Sequence, residues 1–337
     1  MSADNALTLE QKQAGIFTVS ASPHMLSNES IPKIMWTVVI ALLPAVIFGM
    51  VIFGGGAVQT VLLCVISAMV FEAMVLKIRK RRICINDGSA FLTGLLLAMC
   101  LPADVPFYLP IVGSFIAIVV AKHSMGGLGY NIFNPAHVGR AALVLSWPVA
   151  MTTWTPMTYS VDTVSSATPL GVLKLQGYDA VVQMFGGQAD MYKDLFFGFR
   201  GGCLGETSVL LLVLGGIFLI YKGYIDWVVP VTMIGTVGVL TWAFGGSVGL
   251  FSGDPLFHMM AGGLIIGAFF MATDMVTSPI TKKGKIIFAF GCGAITVLIR
   301  LIGGYPEGVC YSILLMNSVT PLIDRLCKVP SQKRRVA

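Results

Sequence analysis

Ionisable side chains are scarce in this sequence, so each one inside an apolar run is a candidate for chemistry. Glu72, Arg140 and Arg300 stand within such runs, and His123, His137 and His258 lie at or near their ends. At membrane depth these groups mark an ion path or a cofactor pocket; otherwise they snorkel to the interface or pair inside a helix bundle. For Arg140 and Arg300, near the ends of their runs, snorkelling or pairing is the plainer reading. Asp104 and Asp274 close two short glycine-containing segments, where a broken helix end meets a cation or a ring, or satisfies its own backbone. The seven cysteines stand singly, with no C-x-x-C pair and no histidine at zinc spacing. No metal or iron–sulfur site is therefore expected from this chain alone. The run Asp162-Thr163-Val164-Ser165-Ser166-Ala167-Thr168-Pro169-Leu170 gathers hydroxyls behind a carboxylate, and such residues commonly bond their own backbone in a solvated turn. Gly126-Gly127-Leu128-Gly129 has no strand before it, so it reads as a tight turn near a neighbour or cofactor rather than a nucleotide fingerprint. Phe269, Phe270 and Met271 are of types that line a ring pocket, but in a helix they more often pack.

The elements that must position these residues are membrane helices. Of 337 residues, 56% are hydrophobic and 11% charged, and mean hydropathy is +0.84. A soluble domain carries about 25% charge, so a soluble enzyme, a nucleic-acid reader and a disordered protein are excluded. The abundance of glycine, 38 residues, suits close helix approach in a bilayer. Apolar runs long enough to span cover residues 34–53, 57–76, 106–121, 135–151, 206–221, 226–244, 285–302 and 307–323. Two shorter runs, 89–101 and 256–272, read as bent spans or re-entrant hairpins.

Counting both short runs gives about ten crossings. The basic clusters at Lys77–Arg82, Lys222, Lys282–Lys285 and Arg325–Arg335 then all face the cytoplasm, as the positive-inside rule requires. The expected organisation is a cytoplasmic segment 1–33 without a cleavable signal peptide, a membrane repeat 34–151, an extracytoplasmic loop lobe 152–205, a second repeat 206–323 and a cytoplasmic basic tail 324–337. Residues 94–104 resemble 263–274, and the stretch 130–145 with Asn134-Pro135 parallels Tyr305-Pro306-Glu307 and the run after it. An odd count of about five crossings per copy makes the repeat inverted, an arrangement of transporters and channels. The expected fold is thus an all-α polytopic bundle of two inverted repeats with short broken helices and a small outer lobe.

The run ending at Thr168 resembles the recognition sequence of flavin transferases, Asp-x-x-Ser/Thr-Gly-Ala-Thr, with Ser166 in the glycine's place. These enzymes esterify the phosphate of FMN to the threonine hydroxyl. The resemblance makes Thr168 the acceptor and Asp162, Ser165, Ser166 and Ala167 the recognised residues. A threonine hydroxyl is a weak nucleophile, so the ester requires a dedicated enzyme with a metal ion. Small side chains at 166 and 167 leave that enzyme room, and Pro169 holds the acceptor extended.

Further motifs extend the resemblance along the chain: Ser22-Pro23-His24, residues 86–94 from Asn86 to Gly94, residues 126–136 from Gly126 to Ala136, residues 267–274 with Thr277-Ser278-Pro279, and Pro306-Glu307-Gly308-Val309. From about residue 20 to 325 the sequence is similar to the family of D subunits of the Rnf electron-transport complex, related to the B subunit of the sodium-translocating NADH:quinone oxidoreductase. The resemblance implies an ion-pumping ferredoxin:NAD+ oxidoreductase of bacterial inner membranes, with covalent FMN on Thr168. It also allows a second, non-covalent flavin such as riboflavin within the bundle. The implied partners are other membrane and peripheral subunits carrying flavin and iron–sulfur centres, and the maturing flavin transferase. Such a subunit is not catalytic alone; it would pass electrons and help couple their flow to Na+ or H+ movement. The inverted repeat by itself supports a channel or secondary transporter for a small polar solute equally well, and a structural anchor for redox partners is a third reading.

Overall fold

Caps and breakers along the chain set the helix boundaries. The computed structural model describes residues 29–81, 85–154, 168–246 and 249–327, and among them every regular element is a helix. Helix α1, Ile31–Phe53, starts where the Ser30 side chain accepts from Lys33 N, with proline in the first turn. Helix α2, Gly55–Ile78, follows after Gly54. Helix α3, Ser89–Met99, is short and lies against α2. The close approach depends on Gly94, where a Cβ would stand 2.8 Å from the Cys64 carbonyl oxygen and 2.9 Å from Val65 Cα. Helix α4, Tyr108–Phe115, continues as a π-helix over Ile116–His123.

Helix α5, Pro135–Ser146, is capped by the Asn134 side chain accepting from Ala136 N. The span expected over 135–151 breaks at Trp147, because Pro148 has no N–H to continue the ladder; a short α6, Pro148–Thr152, follows. From Thr168 on, the described part of segment 152–205 is largely helical. Its helices are α7 (Pro169–Gln176), α8 (Tyr178–Met184) and α9 (Gln188–Phe197). Leu170, Val181, Met191 and Leu195 join Phe257 and Ala261 in a core of their own. Asp254 fixes the lobe by accepting from Tyr178 Oη (2.6 Å) and Tyr192 Oη (2.7 Å).

The second half contains a 3-10 turn at Leu204–Glu206 and α10, Val209–Tyr221, so the run 206–221 becomes α-helical only after the Ser208 cap. Helices α11 (Val228–Phe244) and α12 (Pro255–Met260) come next. The run 256–272 is broken: after α12 the chain resumes as α13, Leu264–Ile266, which passes into a π-helical turn over Gly267–Met271. The break falls at Gly262, whose φ of 71° is open to glycine and strained for other residues. Helices α14 (Lys282–Leu301) and α15 (Val309–Leu326) complete the bundle.

Among the described residues, three helices, Ile31–Phe53, Gly55–Ile78 and Lys282–Leu301, are long and apolar enough to cross a membrane by length and composition, and four shorter apolar ones accompany them. Ile40, Ile47, Val51, Leu62, Ile66 and Val70 are exposed on α1 and α2. An apolar outer face of this kind belongs against lipid rather than water.

Candidate functional site

Thr168 is the N-cap of α7. Its Oγ1 accepts from Gly171 N at 3.1 Å, and the residue is only 3% exposed. Asp162, Ser165, Ser166 and Ala167 lie outside the described residues. Thr168 stands on the wall of a cavity of about 270 Å3, which also takes in Arg140, Trp154, Tyr305, Glu307 and Tyr311. This lobe cavity draws on α5, α7 and the start of α15, so residues far apart in sequence close around one threonine.

Its charged wall joins the two halves of the chain. Arg140 Nη2 donates to Glu307 Oε2 and approaches Cys203 Sγ at 3.7 Å. Pairing is therefore the outcome for Arg140, not snorkelling. Cys203, Glu206 and Glu307 bring ligand atoms within 4.8 Å of one another, a grouping that no spacing in the sequence announces. The Arg140 guanidinium lies on two of the three, and a cation would have to displace those contacts. Glu307 Oε1 and Tyr311 Oη find no hydrogen-bond partner among the described residues.

Two other buried arginines hold irregular backbone. Arg300 donates to His258 O (2.6 Å) and Ala261 O (2.9 Å), and Arg200 to Glu206 O and Met260 O (3.0 Å for the latter). The carbonyls orphaned by the break between α12 and α13 are thus satisfied inside the protein, as broken helices at membrane depth require.

A second cavity, about 120 Å3, lies within the bundle and is bordered by Thr93, Lys122, Asn131, Asn134, Phe270 and Asp274. Lys122 Nζ donates to Glu72 Oε1 (2.8 Å), Glu72 Oε2 (2.6 Å) and Ser89 Oγ (2.7 Å). His123 Nε2 lies 3.6 Å from the same carboxylate, so Glu72 is a structural pair here. Asn134 Nδ2 donates to Met271 O at 3.3 Å, linking the second half to the first. Asp274 accepts from Val276 N and Thr277 Oγ1, whereas Asp104 is exposed. Phe270 borders this cavity, while Phe269 and Met271 are buried in packing. The glycine turn is tight as expected, with positive φ at Gly126, Gly127 and Gly129 and Leu128 on the cavity wall.

Lys122, Arg200 and Glu206 escaped the sequence reading. Lys122 carried a signal: it sits beside His123 at the end of an apolar run, and the π-helix rotates both side chains inward. Arg200 and Glu206 lie where the polar lobe rejoins the bundle, and only their contacts show their burial.

A bundle with apolar outer faces and broken helices held by buried arginines defines an integral membrane protein. The chain belongs to the NQR2, RnfD, RnfE family, whose model matches residues 18–332. It is 65% identical to the D subunit of the proton-translocating ferredoxin:NAD(+) oxidoreductase complex of Clostridium ljungdahlii, over 94% of this chain and 96% of that one. It is 47% identical to the D subunit of the Na(+)-translocating ferredoxin:NAD(+) oxidoreductase complex of Acetobacterium woodii, over 92% and 93%. The D subunit of the ion-translocating oxidoreductase complex of Stutzerimonas stutzeri is 40% identical, over 89% and 92%.

Proposed function

We propose that the chain is the D subunit of a redox-driven, ion-translocating ferredoxin:NAD+ oxidoreductase, and that it carries electrons through an FMN esterified to Thr168. The names of the relatives support the complex. The observation that carries the cofactor is the position of Thr168: the hydroxyl ending the transferase-like sequence borders a cavity with aromatic walls. Its volume, about 270 Å3, lies just under the ~300–1,000 Å3 of small-molecule sites. Trp154, Tyr305 and Tyr311 would flank the ring, and Arg140 would face its electron-rich edge. The unpartnered Tyr311 hydroxyl offers a donor. FMN supplies one- and two-electron transfer when bound.

In this reading residues 152–205 face outward, both termini are cytoplasmic, and the bundle crosses about ten times as an inverted repeat; the basic clusters support that orientation. Ferredoxin and NAD+ react on the cytoplasmic side, and the bilayer core is ~30 Å thick. Partner subunits with flavin and iron–sulfur centres therefore complete the electron path. A second, non-covalent flavin such as riboflavin would require the bundle cavity, about 120 Å3, to widen; Lys122, Asn131 and Asn134 present polar groups among its apolar walls. The coupling ion is Na+ or H+, and transport by the assembled complex in vesicles distinguishes them.

The purified chain, produced with the flavin transferase, should fluoresce under ultraviolet light on a denaturing gel, and Thr168→Ala should abolish the band. Mass spectrometry of the peptide ending at Lys174 should place the adduct on Thr168. A dark wild-type band would favour a transporter or an anchor; a bright Thr168→Ala band would move the attachment elsewhere.

A further inference from the structure

The hydroxyl that must react is the one the fold hides. Thr168 Oγ1 already accepts an orphan N–H of the first turn of α7, from Gly171, and the residue is 3% exposed. The two residues after it, Pro169 and Leu170, are buried as well. Leu170 belongs to the lobe core with Val181, Met191 and Leu195, and its side chain reaches the Gly262 break between α12 and α13. A transferase must surround its acceptor, reach the phosphorus with the hydroxyl oxygen and remove the hydroxyl proton. In the closed lobe the Gly171 N–H occupies one lone pair of that oxygen, and the buried Pro169 and Leu170 keep a transferase from surrounding it.

We infer that Thr168 is flavinylated only while α7 is undocked, so that modification precedes closure of the lobe, and that the attached phosphate then takes over the cap and holds the lobe shut. The inference rests on the assignment of FMN to Thr168. In the open chain the Thr168 oxygen attacks the flavin-side phosphorus of a flavin–adenine dinucleotide. The phosphoanhydride bond breaks, adenosine monophosphate leaves, the hydroxyl proton passes to the transferase, and no electrons are exchanged. On closure the ester oxygen is a poorer acceptor than the hydroxyl was. The phosphate's free oxygens replace it at the N–H groups of the first turn of α7, where negative charge is favoured. The modified lobe therefore opens less often than the unmodified one.

The test uses full-length chain made without the transferase and purified in detergent. It is then incubated with transferase, flavin–adenine dinucleotide and Mg2+, and adduct is read as gel fluorescence over time. Folded wild type should react slowly. Val181→Ala, which thins the lobe core thirteen residues from the acceptor, should react about tenfold faster or more, because opening of the lobe becomes cheaper. Amide exchange at Gly171 should be slower in modified than in unmodified chain. Equal rates for folded wild type and Val181→Ala, or Gly171 exchange unchanged by modification, would overturn the ordering and leave the FMN assignment standing. If neither chain acquires fluorescence, and chain co-produced with the transferase is dark too, the FMN assignment itself fails.

Discussion

Replacing Lys122 by methionine isolates the energetics of the most deeply buried ion pair among the described residues. Its side chain is 2% exposed and that of Glu72 4%. All three ammonium protons are used, two on the carboxylate and one on Ser89 Oγ. Lys122→Met fills the space but leaves a carboxylate among α2, α3 and the π-helix with only His123 near it. Removing one partner of such a pair costs ~3–5 kcal/mol, because the remaining charge stays desolvated. Replacing both, as in Lys122→Met with Glu72→Leu, removes the stranded charge and should recover most of the loss. The two single changes and the double change form a cycle whose coupling should be ~2–3 kcal/mol or more. Unfolding of each variant in mixed micelles, followed by helical circular dichroism, measures it. A cost for Lys122→Met below ~1 kcal/mol, the range of a solvent-exposed pair, would refute the buried-pair argument.

Other outcomes follow from the same geometry. Thr168→Asn should keep the α7 cap and lose the fluorescent band, Thr168→Ser should keep both, and Thr168→Ala should lose the band and ~1 kcal/mol of lobe stability, read by thermal unfolding. Gly94→Ala drives a Cβ into the backbone of α2 and should cost ~1–3 kcal/mol; Gly55→Ala meets nothing within 4 Å and should be neutral or stabilising in the same assay. Desolvation, then the bond to Asp254, raises the Tyr192 phenol above 10.0, and Tyr178 shifts the same way for the same causes. Their contribution is complete below the ordinary tyrosine value and is lost as pH rises through the raised ones, so protease protection of the lobe should fall above pH ~10. Tyr178→Phe should flatten that fall. Arg140→Met should destabilise the joint between the halves more than the double variant with Glu307→Gln does, as measured by unfolding midpoints.

Much of the helix placement was legible in composition and hydropathy. Apolar runs located the helices to within a few residues, since hydropathy registers the solvent that each segment must meet. The glycine-containing run 256–272 reads as broken, as it is at Gly262, whereas the break that Pro148 imposes at Trp147 inside the run 135–151 was missed. The run before Pro169 singled out Thr168 by the order of its residue types. What the runs could not reveal was the fate of each polar residue at depth. Arg140, Arg200 and Arg300 are chemically alike, yet one pairs with a carboxylate across the bundle and two bind carbonyls at broken backbone. That difference depends on which orphaned groups lie opposite them, and most of those come from segments distant in the chain.

By itself the sequence determined a membrane-embedded helical chain, its family and a candidate threonine, because these depend on local composition, periodicity and residue order. Only the tertiary structure decided that Lys122 turns inward onto Glu72, that Arg140 meets Glu307 from the other half, and that Thr168 caps a helix beside an aromatic cavity. The physical reason is that burial, pairing and capping belong to the space between elements. Desolvation and hydrogen-bond satisfaction are settled there, once helices far apart in the sequence have packed.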